Sequence, residues 1–135
     1  MVMLVRTVLL VGGLLFILIG ASFLLDPAGQ GGDFGLTPKG NQGLSTIRAD
    51  FTAYFWVAGG AMVIGAWKRK GDLLLVAAAL MGITFVARGL SLALDGFYPG
   101  WMMPMAVEAS TVIIALFGSR VLPHAALVPD QADTL

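Results

Sequence analysis

The sequence predicts an all-α integral membrane protein, a four-helix bundle with one long polar loop between its first and second helices. Three observations carry this. Hydrophobic residues make up 58% of the 135 residues and charged residues only 12%, against about 25% charged in an ordinary soluble domain. A chain this short folded in water would expose more surface than its few charges could cover. The apolar residues also fall into four runs, each close to the ~20 residues a helix needs to cross ~30 Å of hydrocarbon.

The first run is Thr7 to Leu25, nineteen residues without a charge. It exceeds the ~7–15 residues of a secretory signal core and lacks a clean small-x-small cleavage site, so a retained helix is expected over 5–25. The second runs from Phe51 to Trp67 and, extended upstream to Ile47, predicts a helix over 46–68 with Ser45 as a cap. The third runs from Leu73 to Leu94, broken only by Arg88. Its expected span is 72–95, with Asp72 as N-cap and Gly96 as the C-terminal glycine. The fourth runs from Phe97 to Ser119, broken only by Glu108. Pro104 suits a first turn, so this helix starts near Met102 or Met103 and ends before Pro123, a span of 101–121. Residues 122–135 form a short tail expected to be mobile.

If all four spans cross, Arg6, Lys68, Arg69, Lys70 and Arg120 fall on one side and Lys39 and Arg48 on the other. Lys and Arg favour the cytoplasmic side of short loops, which places both termini inside. The stretch from Asp26 to Thr46 and the turn from Asp95 to Gly100 then lie outside. Residues 27–44, rich in glycine, read as a flexible connector or, alternatively, as a lid with Phe34 and Leu36 dipping into the interface; they are expected to lack long regular structure and to lie over the outer mouth of the bundle. No P-loop or dinucleotide fingerprint occurs there.

Apolar helices gain little from hiding in one another when lipid surrounds them, so small residues must let them pack closely. The candidates are Gly13 and Gly20, Ala61 with Gly65, Ala78 with Gly82, Gly89 with Ala93, and Ala115 with Ser119.

Five ionisable residues belong to the outer half: Arg48, Asp50, Arg88, Asp95 and Glu108. A charge inside a span is costly, so it faces the bundle interior and has a partner. On the third helix Ala77, Met81, Thr84, Arg88, Ser91 and Asp95 form one stripe. On the fourth Pro104, Glu108, Thr111, Ala115 and Gly118 form another. The hairpin between the two helices brings Arg88 and Glu108 to similar depth, which predicts that they face each other. Arg48 can reach Asp95 or Glu108, or extend to headgroups. Two readings follow: a buried ion pair that fixes helix register, or a polar pocket opening outward, floored by Arg88 and Glu108 and walled by Arg48, Asp50 and Asp95, able to clamp an anionic headgroup or relay a proton. His124 reads as a tail residue, and Met102, Met103 and Met105 as interface packing.

There are no cysteines and one histidine, which excludes disulfides, thiolate metal sites and bis-His haem. No cofactor or metal is expected. Eight basic residues balance eight acidic ones, so no field exists to attract nucleic acid.

Phe34-Gly35-Leu36, Ile47-Arg48-Ala49, Arg88-Gly89, Asp95-Gly96 and Glu108 together resemble a family of small four-helix bacterial membrane proteins classed only as a domain of unknown function, over about residues 5–121. The resemblance implies the bundle, a bacterial inner (cytoplasmic) membrane and the polar positions. It implies no reaction. Three function classes then compete. The first is an accessory or structural subunit packing with a larger membrane complex or with itself. The second is binding or transport of a lipid-like or small apolar molecule. The third, with the least support, is a membrane isomerase using Glu108 as acid or base. Membrane lipids are the one partner common to all three.

Overall fold

In a computed structural model, residues 1–124 form five helices: α1 (Val2–Leu25), α2 (Pro27–Asp33), α3 (Gly40–Trp67), α4 (Gly71–Asp95) and α5 (Met102–Val121). The described residues contain no strand. Four of the helices, all but α2, are long and apolar enough to cross a membrane. The tail beyond His124 lies outside the described residues.

The long helices form a ring. α1 packs chiefly on α3, α4 on α5, and α3 on α4, while α1 and α5 close the ring through the smallest of these contacts. Small residues set the closest approach. A Cβ on Gly13 would fall 2.8 Å from the Gly59 carbonyl oxygen, and one on Gly59 would fall 2.5 Å from that of Gly13. The α1 and α3 backbones therefore touch where neither carries a side chain. Gly65 and Gly118 both receive Leu74, while Gly82 and Gly89 pack loosely.

The two ends of the bundle differ in packing. At the end holding the N-terminus, the 68–70 connector and the end of α5, Leu9, Ala66, Leu74 and Ala115 are wholly buried. Gly71 N–H donates to the Pro123 carbonyl (2.8 Å), tying that connector to the chain after α5. At the other end the core is aromatic. Phe23 stacks on Phe51 (centroids 4.7 Å) and on Phe55 (5.9 Å), and Phe34 meets Phe23 edge-on (5.2 Å).

Two arginines close helix ends in a reciprocal way. Arg6 on α1 donates Nε–H to the Ala66 carbonyl (2.8 Å) at the C-terminus of α3. Arg48 on α3 donates Nε–H to the Leu24 carbonyl (3.0 Å) at the C-terminus of α1. Each supplies a donor to carbonyls that no later turn can satisfy, and a cation to the negative end of the dipole.

Three sequence expectations change. The segment 27–44 is largely helical. Pro27 opens α2 at a position where a missing N–H costs nothing, and the Asp26 carboxylate accepts from Gly29 N–H (3.0 Å) as its cap. The second long helix starts at Gly40, six residues before the expected 46, so Ser45 lies inside it and caps nothing. Its first turns are polar because they extend past the apolar stretch, and hydrophobicity alone does not register them. Asp72 stands one residue inside α4, which starts at Gly71, rather than at the cap position, still in the first turn where a carboxylate is favoured. Gly96 does end α4, with φ of 96°, and α5 begins at Met102 with Pro104 in its first turn.

Candidate functional site

At the aromatic end residues of all four long helices line a cavity of about 1260 Å³. Phe16 and Ile19 of α1, Asp50, Phe51, Tyr54 and Phe55 of α3, and Thr84 and Arg88 of α4 line it, with Met103, Val107 and Glu108 of α5 opposite. Gly32 to Gly35, and Tyr98 to Gly100, complete the rim. A volume of this order exceeds the ~300–1,000 Å³ of typical small-molecule sites.

The floor is an ion pair. Arg88 Nε–H donates to both Glu108 oxygens (2.9 Å to Oε1, 3.2 Å to Oε2), and Nη2–H donates to Oε1 (2.8 Å). Nη1–H donates to the Tyr98 hydroxyl oxygen (3.1 Å). The guanidinium fork thus holds a planar carboxylate on one edge and a phenol on the other. Beside it, Thr84 donates its hydroxyl proton to the Leu80 carbonyl (2.8 Å). Having no second proton, it accepts the Tyr54 hydroxyl at 2.6 Å. Thr111 donates to the Val107 carbonyl (2.8 Å). No buried side-chain nitrogen or oxygen among the described residues lacks a partner.

Of the five residues singled out from sequence, Arg88 and Glu108 meet, and Asp50 lines the same cavity. Arg48 and Asp95 do not. Arg48 lies two positions before Asp50, about 200° around the helix, and that turns it toward the end of α1. Asp95 shares a face with Arg88 but lies seven residues, about 10.5 Å, further along the helix axis, and it accepts instead from Ser91 Oγ (2.8 Å). Asp33, Tyr54 and Tyr98 were not singled out for the site. Tyr54 had a legible signal, since it lies four residues after Asp50 on the same face of α3. Among the described residues, no group of three or more His, Cys, Asp or Glu side chains is placed to hold a metal ion.

The family model that matches the chain is described as a domain of unknown function (DUF4345), and it covers residues 4–119. No curated protein and no solved structure matches.

Proposed function

Because the chain belongs to the DUF4345 family of unknown function, its role must be read from its own site, and we propose that this multi-pass membrane protein binds a small amphiphilic molecule in the cavity above Arg88 and Glu108. The cavity carries this reading. A register-fixing ion pair needs no space around it, whereas this pair forms the polar floor of a chamber walled by Phe16, Phe51, Phe55 and Val107. Apolar walls with a few fixed polar groups are the usual composition of a ligand site. The tightly packed opposite end, around Leu9, Leu74 and Ala115, supports binding from one face only.

The Lys and Arg distribution supports placing that packed end in the cytoplasm of a bacterial inner membrane, so that the cavity faces outward. An accessory-subunit role draws less support. Gly13, Gly59, Gly65 and Gly118 are consumed in internal contacts, which leaves Gly60, Gly82 and Gly89 as the open small-residue positions for docking another helix. An isomerase role draws less still, since both Glu108 oxygens are occupied by Arg88, a geometry suited to positioning.

Photo-cross-linking tests the reading. Protein in a maltoside detergent is labelled with a diazirine-bearing decanol and the labelled peptides are identified by mass spectrometry. Labelling is expected near Tyr54 and Val107, and a cavity-filling Val107→Trp change should remove it while the protein remains folded. Labelling confined to lipid-facing positions such as Ile83 and Ile113, indifferent to Val107→Trp, would overturn it.

A further inference from the structure

The cavity's charges do not balance. Among the described residues Arg88 is the one cation on its wall, against the carboxylates of Glu108, Asp33 and Asp50. Arg88 is already committed, to Glu108 on one edge and Tyr98 on the other. Arg48, the other arginine of this end, is turned to the Leu24 carbonyl. An anionic headgroup would therefore meet two uncompensated carboxylates and, among the described residues, no further cation on the cavity wall. Asp33 and Asp50 are both exposed at the rim, and neither forms an ion pair among the described residues. The rings of Phe34, Phe51, Tyr54 and Tyr98 line the same space, and aromatic faces attract cations.

We propose that the occupant is a cationic amphiphile, with an ammonium headgroup held at the rim by Asp33 and Asp50 and an apolar tail lying between Phe16, Phe55 and Val107. This rests on the ligand-binding reading above and names its chemical class. The charge complementarity reverses the anion clamp that two arginines and three carboxylates suggest in the sequence, because only one of those arginines lines the cavity. Two exposed carboxylates acting with an aromatic wall give a preference of about tenfold for an ammonium over a neutral head.

The test is competition against the same diazirine probe by decyltrimethylammonium, decanol and decanoate, which share a tail length and differ in charge. Decyltrimethylammonium is expected to compete about tenfold more strongly than decanol, with decanoate weakest. Replacing Asp33→Asn and Asp50→Asn together should abolish that order, bringing decyltrimethylammonium to the level of decanol. Both residues are exposed, so the variant keeps its fold, which its elution profile checks. Phosphatidylethanolamine added to the micelle distinguishes the source of the ammonium: competition assigns it to a zwitterionic bilayer lipid, and none assigns it to a single-chain amine that carries no phosphate. Equal competition by the three probes, a preference for decanoate, or an order that survives in the double variant overturns the cationic assignment and leaves the cavity as a binding site. Failure of the probe to label the cavity at all removes both.

Discussion

Glu108 is buried more deeply than the arginine that holds it, with 7% of its side chain exposed against 27% for Arg88. The two halves of the pair are therefore not equivalent. Arg88→Leu leaves a carboxylate enclosed without its cation, a change that costs about 3–5 kcal/mol in buried sites. Glu108→Leu leaves an arginine that already bonds Tyr98 and can extend toward water at the rim. The expected order of folded yield in detergent is Glu108→Leu above Arg88→Leu. The double Leu variant should exceed Arg88→Leu alone, since it strands no charge. A double variant as poor as the sum of its singles would show that the two side chains act independently.

The contact of α1 with α3 predicts a contrast between adjacent glycines. Gly59→Ala puts a methyl 2.5 Å from the Gly13 carbonyl oxygen, so the two helices must separate. Overpacking of this kind costs about 1–3 kcal/mol. At Gly60 nothing lies within 4 Å of the added atom, and alanine there gains roughly 0.5–1 kcal/mol of helix propensity. Thermal unfolding should thus move in opposite directions for two variants one residue apart. Equal tolerance at both positions would mean that the helices do not meet at Gly59.

The proposed orientation has its own test. Gln42, exposed in the first turn of α3, should react as a Gln42→Cys variant with a membrane-impermeant thiol reagent in intact cells. No natural cysteine interferes. Reaction only after the cells are opened would invert the bundle and place the cavity in the cytoplasmic leaflet.

How much of this was legible in the sequence follows from what each residue must do in lipid. Arg88 and Glu108 are lone charges in apolar runs on consecutive helices, so the cost of exposing either to hydrocarbon left few places for them to go. Gly96 and Pro104 mark helix ends through their own backbone limits. The helix α2 was hidden because its sequence, PAGQGGD, holds three glycines. What forms it is the Asp26 cap and the burial of Pro27 and Gly31, the latter beside Ile47 of α3. The fate of Arg48 depends on a carbonyl of another helix, which spacing within α3 does not show. The Phe23, Phe34, Phe51 and Phe55 cluster likewise joins residues of α1, α3 and the segment after α2. Only the tertiary arrangement brings them together, and with them the cavity wall.

The packed end of the bundle carries a pH-dependent tie. His124 lies just after α5, outside the spans. Its Nε2 is 2.7 Å from the Ser119 carbonyl oxygen, and its Nδ1 pairs with the Asp72 carboxylate in the first turn of α4. Both ring nitrogens face acceptors, so the ring satisfies both only as the doubly protonated imidazolium. The hydrogen bond to Ser119 is the largest cause raising its pKa above the ordinary 6.5, with Asp72 adding to it and partial desolvation opposing. A folded-state pKa above the unfolded value means that this tie contributes fully below 6.5 and is lost as pH rises through the raised value. His124→Gln should therefore lower the unfolding temperature at about pH 5.5 and match the parent at about pH 8.5. Asp72→Asn should bring the imidazole pKa, followed by NMR, back toward 6.5 without abolishing the Ser119 contribution. An imidazole that titrates at or below 6.5 in the parent protein, or a His124→Gln effect that grows with pH, would show that the ring is not clasped between α5 and α4.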